Sequence, residues 1–121
     1  MWVYNSSNGA LSHDGLQVGS GYSGHGDGVN NPALQSESNV GPIPQGQWSI
    51  GEAVDDPKLG PIAMPLTPNI GTETFGRGGF FIHGDSIEFA GLEEASHGCI
   101  ILSRQIRLQI NSDQDKELQV V

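Results

Sequence analysis

A chain of 121 residues is long enough to bury one core, and with 14 acidic against 5 basic residues its formal net charge is -9. That balance argues against nucleic acid or an anionic membrane surface as a partner, and no run approaches the ~20 apolar residues a membrane span needs. With 18 glycines, 7 prolines and a hydrophobic fraction of 36%, the chain predicts a mainly β single domain over 1–121 in which turns are frequent and helix is scarce. One cysteine forms no internal disulfide and so sets no redox compartment. The start, Met1-Trp2-Val3-Tyr4-Asn5, lacks a basic and an apolar signal region, so the chain is expected to be made in the cytoplasm and carried elsewhere by other means.

Taken in order, Trp2 to Tyr4, Ala10 to Ser12 and Leu16 to Tyr22 read as an antiparallel meander, with Asn8-Gly9 as the clearest hairpin signal. The stretch from Ser23 to Pro32 is too glycine-rich and polar for regular structure and reads as a loop. Gly41-Pro42-Ile43-Pro44-Gln45-Gly46 forms a rigid turn into a half-buried strand over Gln47 to Ala53, in which Trp48 and Ile50 alternate with polar residues. Asp55-Asp56-Pro57 ends it, and Ile62 to Leu66 offers another strand despite Pro65. Thr67 to Gly79 is again loop, followed by the apolar run Phe80-Phe81-Ile82, which delivers His83 at its end. Cys99-Ile100-Ile101-Leu102 has the same character, and Ser103 caps a short helix with Ile106 and Ile110 on one face. Leu118 to Val121 returns as a strand.

The only cysteine lies beside His97 and Gly98, and the run ending in His83-Gly84-Asp85 precedes it. A free thiol is mostly neutral at pH 7, so a nucleophilic cysteine needs a base or an electropositive setting. His97 shares a face with Cys99 on an extended segment, whereas only folding brings in His83, if the two apolar runs are neighbouring strands. Gly98 permits a sharp turn that presents backbone N–H groups to a developing oxyanion, which points to acyl transfer. The carbonyl of Gly84 or the carboxylate of Asp85 is near enough in sequence to hold an imidazole. Arg77, Arg104 and Arg107 lie close to this segment and suit recognition of a carboxylate. On the residues alone, a structural Cys99 with two hydrogen-bonded histidines stays open. So does a metal at His83, Asp85, His97 and Cys99, to which His13 and His25 could add, although no H-E-x-x-H or C-x-x-C spacing supports one.

Ile82-His83-Gly84 followed by Ser96-His97-Gly98-Cys99-Ile100 resembles the signature of the L,D-transpeptidases, the YkuD-like catalytic domain of cysteine enzymes that act on peptidoglycan stem peptides. Further segments extend the likeness to the compact branch delivered by type VI secretion as antibacterial effectors. These are Trp2-x-Tyr4, Gly21-Tyr22-Ser23-Gly24, Asn30-Asn31-Pro32, Gly41-Pro42-Ile43-Pro44-x-Gly46, Leu66-Thr67-Pro68, Phe75-Gly76-Arg77 and Phe80-x-Ile82-His83-Gly84-Asp85. The resemblance implies a compact β-sandwich or mixed sheet with one short helix after the cysteine. It also implies Cys99 as nucleophile, His83 as base oriented by the Gly84 carbonyl, and His97 shaping the site. Ser96, Gly98, Asp85, Tyr22, Arg77, Arg104 and Arg107 are the candidates for oxyanion and substrate contacts.

The substrates implied are meso-diaminopimelate tetrapeptide stems and D-amino acids, with a cognate immunity protein as partner, no cofactor and no metal. Action in the periplasm of a target bacterium follows from the same likeness. Where the housekeeping enzymes carry an arginine two residues after the cysteine, this chain has Ile101, so the arginine that meets the substrate is left open. A zinc-dependent peptidoglycan peptidase and a non-catalytic wall-binding module are the alternative readings.

Overall fold

The computed structural model describes residues 1–85 and 96–121. The meander forms from β1 (Trp2–Tyr4), β2 (Ala10–His13) and β3 (Leu16–Ser20), each antiparallel to the next, with the third strand ending at Ser20 rather than Tyr22. Gly9 closes its first turn at φ 77°, where a Cβ would fall 2.0 Å from the Gly21 carbonyl oxygen, so both conformation and space demand glycine. The remaining strands are β4 (Tyr22–Ser23), β5 (Gly46–Ile50), β6 (Val54–Asp56), β7 (Gly60–Pro68), β8 (Phe81–His83), β9 (Ile100–Ile101) and β10 (Glu117–Val120). They hydrogen-bond in the order β3-β2-β1-β10-β5-β7-β8-β9-β4, with β6 paired to β7. Because β1/β10 and β8/β9 are parallel and the other pairs antiparallel, the sheet is mixed. The protein is therefore mainly β, with one α-helix among the described residues, α1 (Arg104–Ser112), placed after the cysteine.

Side chains at alternate strand positions point to one core. Trp2, Tyr4, Leu11, Trp48, Ile50, Met64, Leu66, Ile82, Ile100, Leu118 and Val120 meet there, joined by Ile110 of α1. Both buried indoles keep a partner: Trp2 Nε1 donates to the Asp115 carbonyl at 2.8 Å and Trp48 Nε1 to that of Pro44 at 3.1 Å. The expected strand over Gln47 to Ala53 stops at Ile50, and the reason lies in β7. Opposite Gly51 stands Pro65, which accepts the Gly51 N–H at 2.8 Å but has no N–H to return. After that break Val54–Asp56 resumes pairing with β7, a strand the acidic Asp55-Asp56 obscured. Asp56 Oδ1 then takes the N–H groups of Lys58 and Leu59 and turns the chain.

Helix α1 begins as read. Ser103 Oγ accepts the Ile106 N–H, and Lys116 Nζ closes the other end on the carbonyls of Ile110 and Asn111. In urea denaturation we expect Ser103→Ala to lower the unfolding free energy by about 1 kcal/mol. Ile82→Ala, which empties a position 1% exposed beneath the site, lowers it by about 3 kcal/mol.

Candidate active site

Two strands that meet nowhere in the sequence carry the site. In the β8/β9 ladder Ile82 faces Ile100 and His83 faces Ile101, with the Leu102 N–H donating to the His83 carbonyl at 3.1 Å. Ile82 and Ile100 point into the core, so strand alternation puts His83, Cys99 and Ile101 on the other face. Cys99 stands beside Phe81, two residues along from His83, which places the two Cα atoms about 8 Å apart across neighbouring strands.

His83 is 3% exposed, and its Nδ1–H donates to the Gly84 carbonyl at 2.9 Å. Of the two orienters read from the sequence, Gly84 makes this contact. That bond leaves Nε2 as the basic nitrogen. Burial pushes the imidazole below its ordinary 6.5; the Gly84 bond opposes this and the Arg107 charge adds to it. Asp56 and Asp85 pull weakly the other way. Cys99 is half-buried, its Sγ accepting the Phe81 N–H at 3.3 Å and lying 3.8 Å from the Gly79 carbonyl oxygen. Burial pushes the thiol up, against the Phe81 N–H and the Arg77 charge. Both shifts favour the neutral forms, so ionising the thiol calls for a base. The two side chains are not hydrogen-bonded to each other among the described residues.

The turn before Cys99 is fastened from beneath by two serines. Ser96 Oγ donates to the Cys99 carbonyl at 2.6 Å and accepts the N–H groups of Gly24 at 3.0 Å and Gly98 at 3.1 Å. Ser23 Oγ donates to the Gly98 carbonyl at 3.1 Å and accepts the Ile43 N–H at 2.8 Å. Two expectations change here. Ser96 is wholly buried and holds backbone rather than facing a substrate, and the Gly98 N–H, expected to face an oxyanion, is engaged by Ser96. Gly98 itself is required: its φ is 130° and a Cβ would fall 2.5 Å from Arg77 Nη2. His97 is exposed and stacks on His25 with ring centroids 4.9 Å apart. From the sequence Ser23 has no assigned role and His25 is only a possible extra metal ligand, because the stretch holding them carries only loop signals.

Two clefts divide the candidate residues. The first, of about 370 Å³, is lined by Cys99, His97, Arg77, Ser38, Asn39 and Phe80, with the glycines between Gly76 and Gly79. The second, of about 410 Å³, holds Tyr22, Asp85, Ile101, Ser103, Arg104 and Arg107; there Tyr22 donates to Asp85 Oδ1 at 2.7 Å. Arg107 is buried, donating from Nε to the Leu102 carbonyl at 3.1 Å and from Nη1 to those of Pro61 and Ile62. Arg77 is likewise engaged by carbonyls, whereas Arg104 is exposed and hydrogen-bonds none of the described residues. His83, Asp85, His97 and Cys99 do not converge as a metal-ligating group; among the described residues that property belongs to His13, Asp14 and Asp115, where the N-terminal ammonium bonds both carboxylates.

Ser96→Ala leaves two N–H groups without their acceptor, and we expect urea denaturation to show a loss of about 2 kcal/mol. A second prediction concerns pH. Because the folded pKa of His83 lies below its unfolded value, the unfolded chain binds the extra proton first. Stability from this group is full above about 6.5 and falls as pH drops through the lower folded pKa. His83→Gln should flatten that part of the stability profile, measured by denaturation between pH 7.5 and about 5.

The sequence over residues 17–121 matches the family model described as the Tlde1 domain. No curated protein sequence matches it significantly. Among solved structures, the chain is similar to the L,D-transpeptidase LdtMt1 in complex with imipenem, with a TM-score of 0.53 and 18% identity over 99% of this chain and 57% of that one. It is also similar to an L,D-transpeptidase from Mycobacterium smegmatis, with a TM-score of 0.50 and 19% identity over 99% of this chain. In both cases it spans 57% of the neighbour's length, and at these identities the likeness is one of fold. The chain thus has an L,D-transpeptidase-like fold and belongs to the Tlde1 domain family.

Proposed function

We propose that the protein is a cysteine acyltransferase and peptidase of peptidoglycan stem peptides. The observation that carries this reading is the parallel β8/β9 pairing, which puts an imidazole with a fixed tautomer and the only thiol on one face of the sheet. The family match and the fold of the structural neighbours support the substrate class.

In the proposed reaction Cys99 turns about its side-chain bond off the Phe81 N–H toward His83, a rotamer change of the kind substrate binding selects. His83 Nε2 takes the thiol proton. The thiolate attacks the carbonyl at the L-centre of meso-diaminopimelate in a tetrapeptide stem, and the imidazolium returns the proton to the departing terminal D-alanine. A thioester remains. Water resolves it to a tripeptide, a free D-amino acid gives exchange, and the amine of a second stem gives a 3-3 crosslink.

His97 shapes the mouth of the Cys99 cleft. Arg104 is the arginine we assign to a substrate carboxylate, because it is exposed, whereas Arg77 directs both terminal nitrogens, and buried Arg107 its Nε and Nη1, at main-chain carbonyls. It stands in the same cleft as Ile101, the position at which the housekeeping enzymes carry arginine, and Tyr22 and Asp85 belong to the same lining. The family match supports delivery by type VI secretion, and action in the periplasm of a target cell and a cognate immunity protein are proposed as consequences of that delivery. None of the described helices is long and apolar enough to cross a membrane.

Mass spectrometry of purified muropeptides, with and without added D-methionine, tests the reading. Wild type should shorten tetrapeptides by one D-alanine or exchange it, Cys99→Ala should lose the activity by about a thousandfold or more, and His83→Gln should come close to that. Arg104→Gln should raise KM with kcat little changed. Tetrapeptide turnover that survives Cys99→Ala would sink the assignment, and turnover abolished by a chelator would favour the zinc reading.

A further inference from the structure

We infer that Arg77 is a positioning residue, one that fastens the wall of the Cys99 cleft to the turn carrying the nucleophile and sets the charge the thiol faces. The inference rests on the reading of Cys99 as the reactive group. It reassigns Arg77, which the sequence offered as a substrate ligand.

The geometry is that of a saturated fork. Nη1 donates to the carbonyls of Gln35 at 2.6 Å and Pro42 at 2.8 Å; Nη2 donates to those of Gly41 at 2.9 Å and His97 at 3.4 Å. Each terminal nitrogen has two hydrogens, so all four are directed at main-chain oxygens and none is left for a bidentate carboxylate. Three of the acceptors belong to the segment over 35–42, whose Ser38 and Asn39 form one wall of the cleft; the fourth is in the turn before Cys99. The guanidinium carbon lies 5.2 Å from the centroid of the Phe80 ring, which supports the fork from below. Gly98 is the partner this arrangement demands, since any Cβ there would meet Nη2.

The titratable and charged groups that line the cleft with the thiol are Arg77 and His97, with His25 stacked on His97; His83 lies outside that lining, on the same face of neighbouring β8. Among the described residues no acidic side chain lines the cleft, although the chain carries 14 of them. Arg77 is thus the only fixed charge in the described lining, and it favours the thiolate against burial.

Iodoacetamide alkylation of the single cysteine, followed as a function of pH, reads this without any substrate. Wild type, Arg77→Gln and Arg77→Lys are compared, with amide hydrogen exchange over 35–42 measured in parallel. For Arg77→Gln the alkylation profile should move to higher pH, with a rate at pH 7 about fivefold lower, and exchange over 35–42 should quicken about tenfold or more. Loosening alone would expose the thiol and speed alkylation, the opposite sign. Arg77→Lys keeps the charge but cannot span four carbonyls, so its profile should follow wild type while its segment exchanges as fast as in the Gln variant. A Gln profile that superimposes on wild type, or unchanged exchange in both variants, overturns the proposal. Should Arg77→Gln not fold, Arg77→Lys decides: a shifted profile or retained protection over 35–42 overturns it. Muropeptide turnover by Cys99→Ala separately decides whether Cys99 is the nucleophile.

Discussion

The parallel contact between β8 and β9 is the constraint on which the site depends. Strands of three and two residues are too short to persist alone, and a parallel ladder between them is no stronger per residue than an antiparallel one. The pair is held because Ile82 and Ile100 are buried in the common core, and because each strand has a second neighbour, β7 on one side and β4 on the other. Slipping the register by one residue would turn His83 inward and Ile82 outward, an exchange the core opposes strongly. Burial of two isoleucines therefore fixes where an imidazole and a thiol stand.

Around that contact the polar groups serve mainly to hold backbone. Ser23 and Ser96, both fully buried, tie the turn before Cys99 to the loop after β4 and to Ile43. Arg77 and Arg107 do the same on a larger scale, Arg77 gathering carbonyls of the segment over 35–42 and Arg107 those of Pro61 and Ile62 where the β6/β7 register shifts. A planar guanidinium with five donors suits this better than a lysine ammonium. In a strongly acidic protein, Arg77 is the one fixed charge among the described residues that line the Cys99 cleft.

Much of this was legible because it is local. The meander, the capped helix after Ser103 and the apolar runs at 80–82 and 100–102 follow from alternation, turn residues and a capping serine, and each forms close to where it was read. Less local features were hidden. The early end of β5 comes from a proline on the facing strand, and the strand over Val54–Asp56 is sustained by its partner against its own acidic character. Ser23 and His25 carried no sign of their roles, since a serine that holds a turn and one in an open loop are written alike.

By itself the sequence determined the chemistry available: one thiol, an imidazole at the end of a buried run, a glycine where the chain must turn, and motifs specific enough to name the family resemblance. Only the tertiary structure decided which groups meet. It selected the Gly84 carbonyl as the orienter of His83, buried Ser96 beneath the turn, parted Arg104 from Arg77 into separate clefts and closed Arg77 and Arg107 upon backbone. The physical reason is that a side chain's capacity to donate or accept belongs to its residue type, while the partner that satisfies it is supplied by segments distant in the chain, under the demand that buried polar groups be paired.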